Sequence, residues 1–94
     1  MALYLISYEI AEDGAFDYEG LWDRLKTLGA TKILYSEWAL TDNIGKASDI
    51  YNEIIPLIQE NDRLLVLEVT QDARYRKLLL SDANFQKLRE RARR

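Results

Sequence analysis

Residues 2–10 read ALYLISYEI, and the alternation in this stretch decides the fold. Tyr4, Ile6, Tyr8 and Ile10 point one way; Leu3, Leu5, Ser7 and Glu9 point the other. Both sets are apolar in their first half, the pattern of a central strand covered on both faces. The run closes on one acid, Glu9, and Glu12-Asp13-Gly14 then gives a turn.

Working outward, Asp17 is placed to cap a helix running to about Leu28, with Asp17 and Glu19 at the positive end of its dipole. Leu21, Trp22, Leu25 and Leu28 form its apolar stripe, and Gly29 supplies a left-handed stop. Residues 31–41, TKILYSEWALT, are β-rich. They read as strands at 31–35 and 37–41 with a tight turn or bulge near Ser36, or as one long bent strand. A second helix is expected over 47–59, with Ala47, Ile50, Tyr51, Ile54 and Ile58 on one face. Ser48 caps it if it starts one residue late, and Pro56 should kink it or loosen its last turn. Residues 64–70, LLVLEVT, alternate as a last clear strand. Lys77–Leu80 could pair briefly as an extra strand. Ser81 then caps a helix to about Ala92, striped by Phe85, Leu88 and Ala92.

The order predicts an α+β, ferredoxin-like βαββαβ antiparallel sheet, with two helices on one face plus a C-terminal helix. Residues 1–80 form the body, and 81–94 are a basic helix of the same domain. The open face of such a sheet would carry Leu3, Leu5, Leu64 and Val66, or with the assignment reversed Tyr4, Ile6, Leu65 and Leu67. Either set leaves an apolar patch that the C-terminal helix or a second copy must cover. A C2 homodimer is the economical expectation.

The chain of 94 residues holds no Cys and no His. That excludes disulfides, zinc–thiolate centres, thiol nucleophiles and His-based acid–base or nucleophile activation. A metal here would be a hard cation held by oxygen, such as Mg²⁺. The net charge of −3 hides an asymmetry. Residues 1–73 carry 5 basic and 14 acidic side chains, and residues 74–94 carry 8 basic and 2 acidic. The basic segment is either a solvated helix offsetting an acidic body or a phosphate contact through Arg89, Arg91, Arg93 and Arg94, the ligand then being RNA or DNA. No secretion signal and no long apolar run is read, so a cytoplasmic protein with no membrane partner is expected.

Phosphate loops, dinucleotide fingerprints and nucleophile elbows are absent from the sequence, and what remains is carboxylates. An antiparallel last strand beside the first would bring Asp62 and Arg63 to Glu9. Two carboxylates and water could then hold Mg²⁺; alternatively Glu9 pairs with Arg63 at a strand edge. Tyr8, Tyr35 and Trp38 near this end suit either base stacking or an interface.

The element order, the ending Tyr8-Glu9-Ile10 and the segment Tyr35-Ser36-Glu37-Trp38 resemble the small CRISPR-associated proteins of the Cas-two type, and relatives of the virulence-associated protein D type. The resemblance spans residues 2–70. It implies a ferredoxin-like homodimer in which strand-end acids face each other and support Mg²⁺-dependent cleavage of RNA or DNA, other members being non-catalytic scaffolds. It carries onto Glu9 for the acid and metal ligand, Ser36 for the serine and Trp38 for the aromatic, so the implied catalytic residues are Glu9 and Ser36. The chain departs from the pattern in having Glu for Asp, and Leu34 and Ala39 at the polar and acidic flanks. Its tail is also helix-like, where the family has a swapped strand. Two expectations follow: a non-catalytic dimeric module for nucleic acid or protein, or a Mg²⁺-dependent endonuclease with Glu9 paired across the dimer.

Overall fold

The computed structural model describes residues 2–11, 16–42, 45–69, 76 and 78–92. The chain runs β1 (Ala2–Glu9), α1 (Glu19–Thr27), β2 (Thr31–Leu34), β3 (Glu37–Asp42), α2 (Ala47–Ile54), a 3₁₀ turn (Ile55–Leu57), β4 (Arg63–Val69) and α3 (Asp82–Ala92). It is a small α+β fold with a four-stranded sheet in the order β2-β3-β1-β4. All three strand pairings are antiparallel. The ALYLISYEI strand is therefore interior, flanked by β3 and β4.

Local chemistry explains the element ends. The Asp17 carboxylate accepts the Glu19 N–H at 2.9 Å, just ahead of α1. At the other end, Gly29 N–H donates to the Lys26 carbonyl and Ala30 N–H to the Leu25 carbonyl. This double closure needs a left-handed residue, and Gly29 has φ 89°. The hairpin between β2 and β3 turns on Tyr35 and Ser36, with a bulge between Lys32 and Leu34. The second helix begins at Ala47, one residue before Ser48. Asp49, rather than Ser48, satisfies its start, accepting the Lys46 N–H at 2.8 Å. The expected helix over 47–59 is α only to Ile54 and continues as a 3₁₀ turn containing Pro56. Proline has no N–H and clashes with the preceding turn, so α geometry stops there.

The sheet separates two apolar clusters. On one face Tyr4, Ile6, Tyr8, Trp38 and Leu40 pack with Leu21 and Leu25 of α1 and Ile50 and Ile54 of α2. On the other, Leu3, Ile33 and Ala39 pack with Phe85 of α3, joined by Leu5, Val69, Leu78, Leu80 and Leu88. The β1–β4 register opposes Leu5 to Leu67, Ile6 to Val66 and Ser7 to Leu65. Residues opposite each other share a face, so the second face carries Leu3 and Leu5 with Leu65 and Leu67. Both pairings drawn from the sequence were one residue out of step in the last strand. A one-residue slip exchanges the two faces, and only the partner's register resolves it.

Residues 78–80 form no strand, and Lys77 lies outside the described residues. Leu79 N–H nevertheless donates to the Ile33 carbonyl at 2.9 Å, so this segment runs along the outer edge of β2. Ser81 Oγ then accepts the Asn84 N–H at 3.2 Å and opens α3. The C-terminal helix covers the β1–β3 half of the second face. Beyond its reach Leu65 is 55% and Leu67 37% exposed.

Candidate functional site

Three elements meet where β1 ends. The antiparallel register places Glu9 opposite Arg63, and Arg63 Nη1 lies 2.7 Å from Glu9 Oε1 in an exposed ion pair. Ser7, Tyr8, Glu9, Arg63, Leu64 and Leu65 line a shallow, open depression of 250 Å³ there. Ser36 sits beside it on the hairpin turn, exposed, its carbonyl accepting the Tyr8 N–H at 3.0 Å. Ser36 thus contributes backbone to the site, extending the β1–β3 ladder by one pair. The serine whose hydroxyl works here is Ser7, which donates to Glu37 Oε2 at 2.5 Å. The β1–β3 register places Ser7 opposite Glu37, a relation that the turn at 35–36, which joins β2 to β3, does not itself set.

Asp62 adjoins Arg63, but its carboxylate is committed elsewhere. Oδ1 accepts the Ala11 N–H at 2.7 Å. Oδ2 accepts the Tyr18 hydroxyl at 2.7 Å and the Gln59 N–H at 2.8 Å. Gln59 Nε2 closes the loop by donating to the Tyr18 oxygen at 2.9 Å. Partial burial opposes ionisation of Asp62, but the hydrogen bonds from Tyr18, Ala11 and Gln59 outweigh it and hold the carboxyl below the usual aspartate range. The group fastens the exit of β1, the start of α1 and the entry to β4.

A Mg²⁺ ion is held by one or two carboxylates, waters and substrate phosphates. Within one chain the pair read from the sequence, Glu9 and Asp62, is not assembled for that purpose. Glu9 faces a guanidinium and Asp62 faces three donors. Among the described residues no cluster of three or more acidic or other metal-ligating side chains forms.

Behind the depression lies an aromatic knot. The Tyr8 oxygen accepts both the Trp22 and the Trp38 indole N–H, each at 3.2 Å. Trp38 is 4% exposed, so the residue matched to the family aromatic is core. Trp22 stands at the rim, half in solvent. Tyr35 is the most open aromatic among the described residues, 82% exposed, with Lys32 Nζ 5.9 Å from its ring centroid.

The basic residues of the tail lie along and beyond α3. Arg89 Nη1 donates to Gln86 Oε1 at 3.0 Å on an exposed face. Arg91 lies in the last turn of α3, and Arg93 and Arg94 lie outside the described residues. No helix among the described residues is long and apolar enough to cross a membrane.

No protein-family model and no solved structure matches this chain.

Proposed function

We propose that the chain is a non-catalytic, dimeric interaction module on a ferredoxin-like βαββαβ frame, akin to the scaffold members of the Cas-two type family. The observation that carries this reading is the Glu9–Arg63 ion pair. A carboxylate answered by a guanidinium from its own chain is a strand-end bridge, whereas a nuclease carboxylate must face an ion and a phosphate. The unfilled half of the second sheet face supports the dimeric part, because Leu65 and Leu67 offer it apolar surface. An acidic body repels nucleic acid near Glu9, so any RNA or DNA contact falls to the basic tail.

The competing reading is a Mg²⁺-dependent endonuclease in which Glu9 from two protomers shares the ion. Wild type and Glu9→Ala are incubated with labelled RNA and DNA, in Mg²⁺ and in EDTA. The expected result is no cleavage above the EDTA control by either protein. Cleavage by wild type that Glu9→Ala and EDTA both abolish would replace this proposal with the endonuclease. Tail contacts are read separately: nucleic-acid affinity should fall steeply with salt and disappear on truncation after Leu88.

A further inference from the structure

We infer that β4 pairs edge to edge with β4 of a second copy, antiparallel and centred on Val66, joining the two sheets into one. The inference rests on the dimeric reading above and specifies its surface. β4 ends the strand order, with β1 on its inner side and no strand on its outer side among the described residues. The opposite edge differs, since Leu79 already donates to β2 there.

The backbone of β4 shows which groups have no partner among the described residues. Tyr8 N–H donates toward β3, to the Ser36 carbonyl. Backbone groups alternate sides along an antiparallel strand, so Ser7 and Glu9 turn theirs toward β4. Their partners Leu65 and Arg63 turn theirs inward, and Leu64, Val66 and Glu68 present N–H and C=O to the outer edge. These three residues are symmetric about Val66. A two-fold axis at Val66 opposes Val66 to its own copy and Leu64 to Glu68 of the other chain. Every outward group then finds a partner, with none left over. A register moved by one pairing step in either direction leaves residues unpaired. The same axis opposes Leu65 to Leu67 of the second chain, so four half-exposed leucines meet on one face. Isologous pairing of this kind requires a self-complementary strand, and RLLVLEV is one.

Charge permits the contact. Glu68 and its copy would stand about 14 Å apart, beyond the ~8 Å screening length at physiological salt. Apart from the charges of Arg63 and Glu68, the edge lacks the features that guard a free strand. Residues 63–69 contain no Pro and no Lys, and no bulge interrupts their register with β1. The footprint, about 24 Å of strand by about 10 Å of sheet thickness, is small beside the ~800 Å² per partner of a standard interface. The dimer is therefore reversible and concentration-dependent.

This geometry bears on Glu9. It lies opposite Arg63, three residues from the axis along the strand and one strand further out. The two copies of Glu9 would be about 25 Å apart, which is too far to share a metal ion.

Leu65→Cys and Leu67→Cys are made as single variants; the chain has no other cysteine. Both positions are half-exposed, so the core is kept. Across the proposed interface position 65 lies about 4.5 Å from position 67 of the other chain by Cα, within disulfide reach. Position 65 lies about 8 Å from its own copy, and position 67 likewise, both outside that reach. Mild oxidation should therefore yield disulfide dimers from the mixture of the two variants and little from either alone. Cross-linking as strong in either variant alone overturns the register. Absence of cross-linking in the mixture, while light scattering shows a dimer, overturns the edge pairing and leaves the dimer standing. A monomer at every concentration removes the dimeric reading itself.

Discussion

Phe85→Ala should undock α3 before it unfolds the sheet. Phe85 is 5% exposed and is the helix residue buried among Leu3, Ile33 and Ala39. Truncating a buried phenylalanine costs ~3–5 kcal/mol. The remaining anchors of α3 on the sheet are few, Leu88 being only partly buried, and an isolated helix of 11 residues is marginal in water. The loss thus exceeds what retains the helix. It is smaller than the upper range of stability for a domain of this length, roughly 5–14 kcal/mol. α3 holds 11 of the α-helical residues against 9 in α1 and 8 in α2, so helical ellipticity at 25 °C should fall by about two fifths. Amide exchange should quicken in α3 while β1 and β3 stay protected, and dye binding should report the uncovered Leu3 and Ala39. Unchanged ellipticity, together with a stability loss under about 1 kcal/mol, would refute the claim that this side chain clamps the helix.

Asp62→Asn should flatten the acid limb of the stability profile. Its folded-state pKa is lowered, so its contribution is fully present above the unfolded value and is lost as pH falls through the folded value, beneath the ordinary aspartate range. Denaturant midpoints between pH 3 and 7 should converge for wild type and variant at the acid end; a constant gap would contradict this. Tyr8→Phe removes the acceptor of two indoles and leaves the Trp38 N–H buried without a partner, a cost of ~1–3 kcal/mol, read by urea unfolding with Trp fluorescence. Arg63→Ala should change stability by less than ~1 kcal/mol, because the ion pair is exposed. A larger loss would mean that the bridge is desolvated in an assembly.

Periodicity was sufficient for the elements themselves. The stripe Leu21–Leu25, the stop at Gly29 and the turn at Tyr35-Ser36 each rest on chemistry confined to a few neighbouring residues. Relations between strands were less legible. The alternation of 64–70 was plain, yet whether Leu64 or Leu65 shared a face with Leu5 depended on a register that both faces, being apolar, left undetermined. Glu9 and Arg63 were legible as neighbours because antiparallel order alone brings strand end to strand start. The commitment of Asp62 to Tyr18 was not, since it depends on how the residues around 16–18 return toward β4. Ser7–Glu37 was not legible either, since it depends on the β1–β3 register, which the β2–β3 turn does not set.

On the proposed reading Glu9 is a strand-end ion-pair residue in a dimer that keeps its two copies apart. The most direct test of that reading is the distance between them. With a nitroxide on Glu9→Cys in this otherwise cysteine-free chain, pulsed dipolar spectroscopy on the dimer should give a distribution centred near about 25 Å. A distance under about 12 Å would bring the two positions together at the axis, and the shared-metal site would have to be restored.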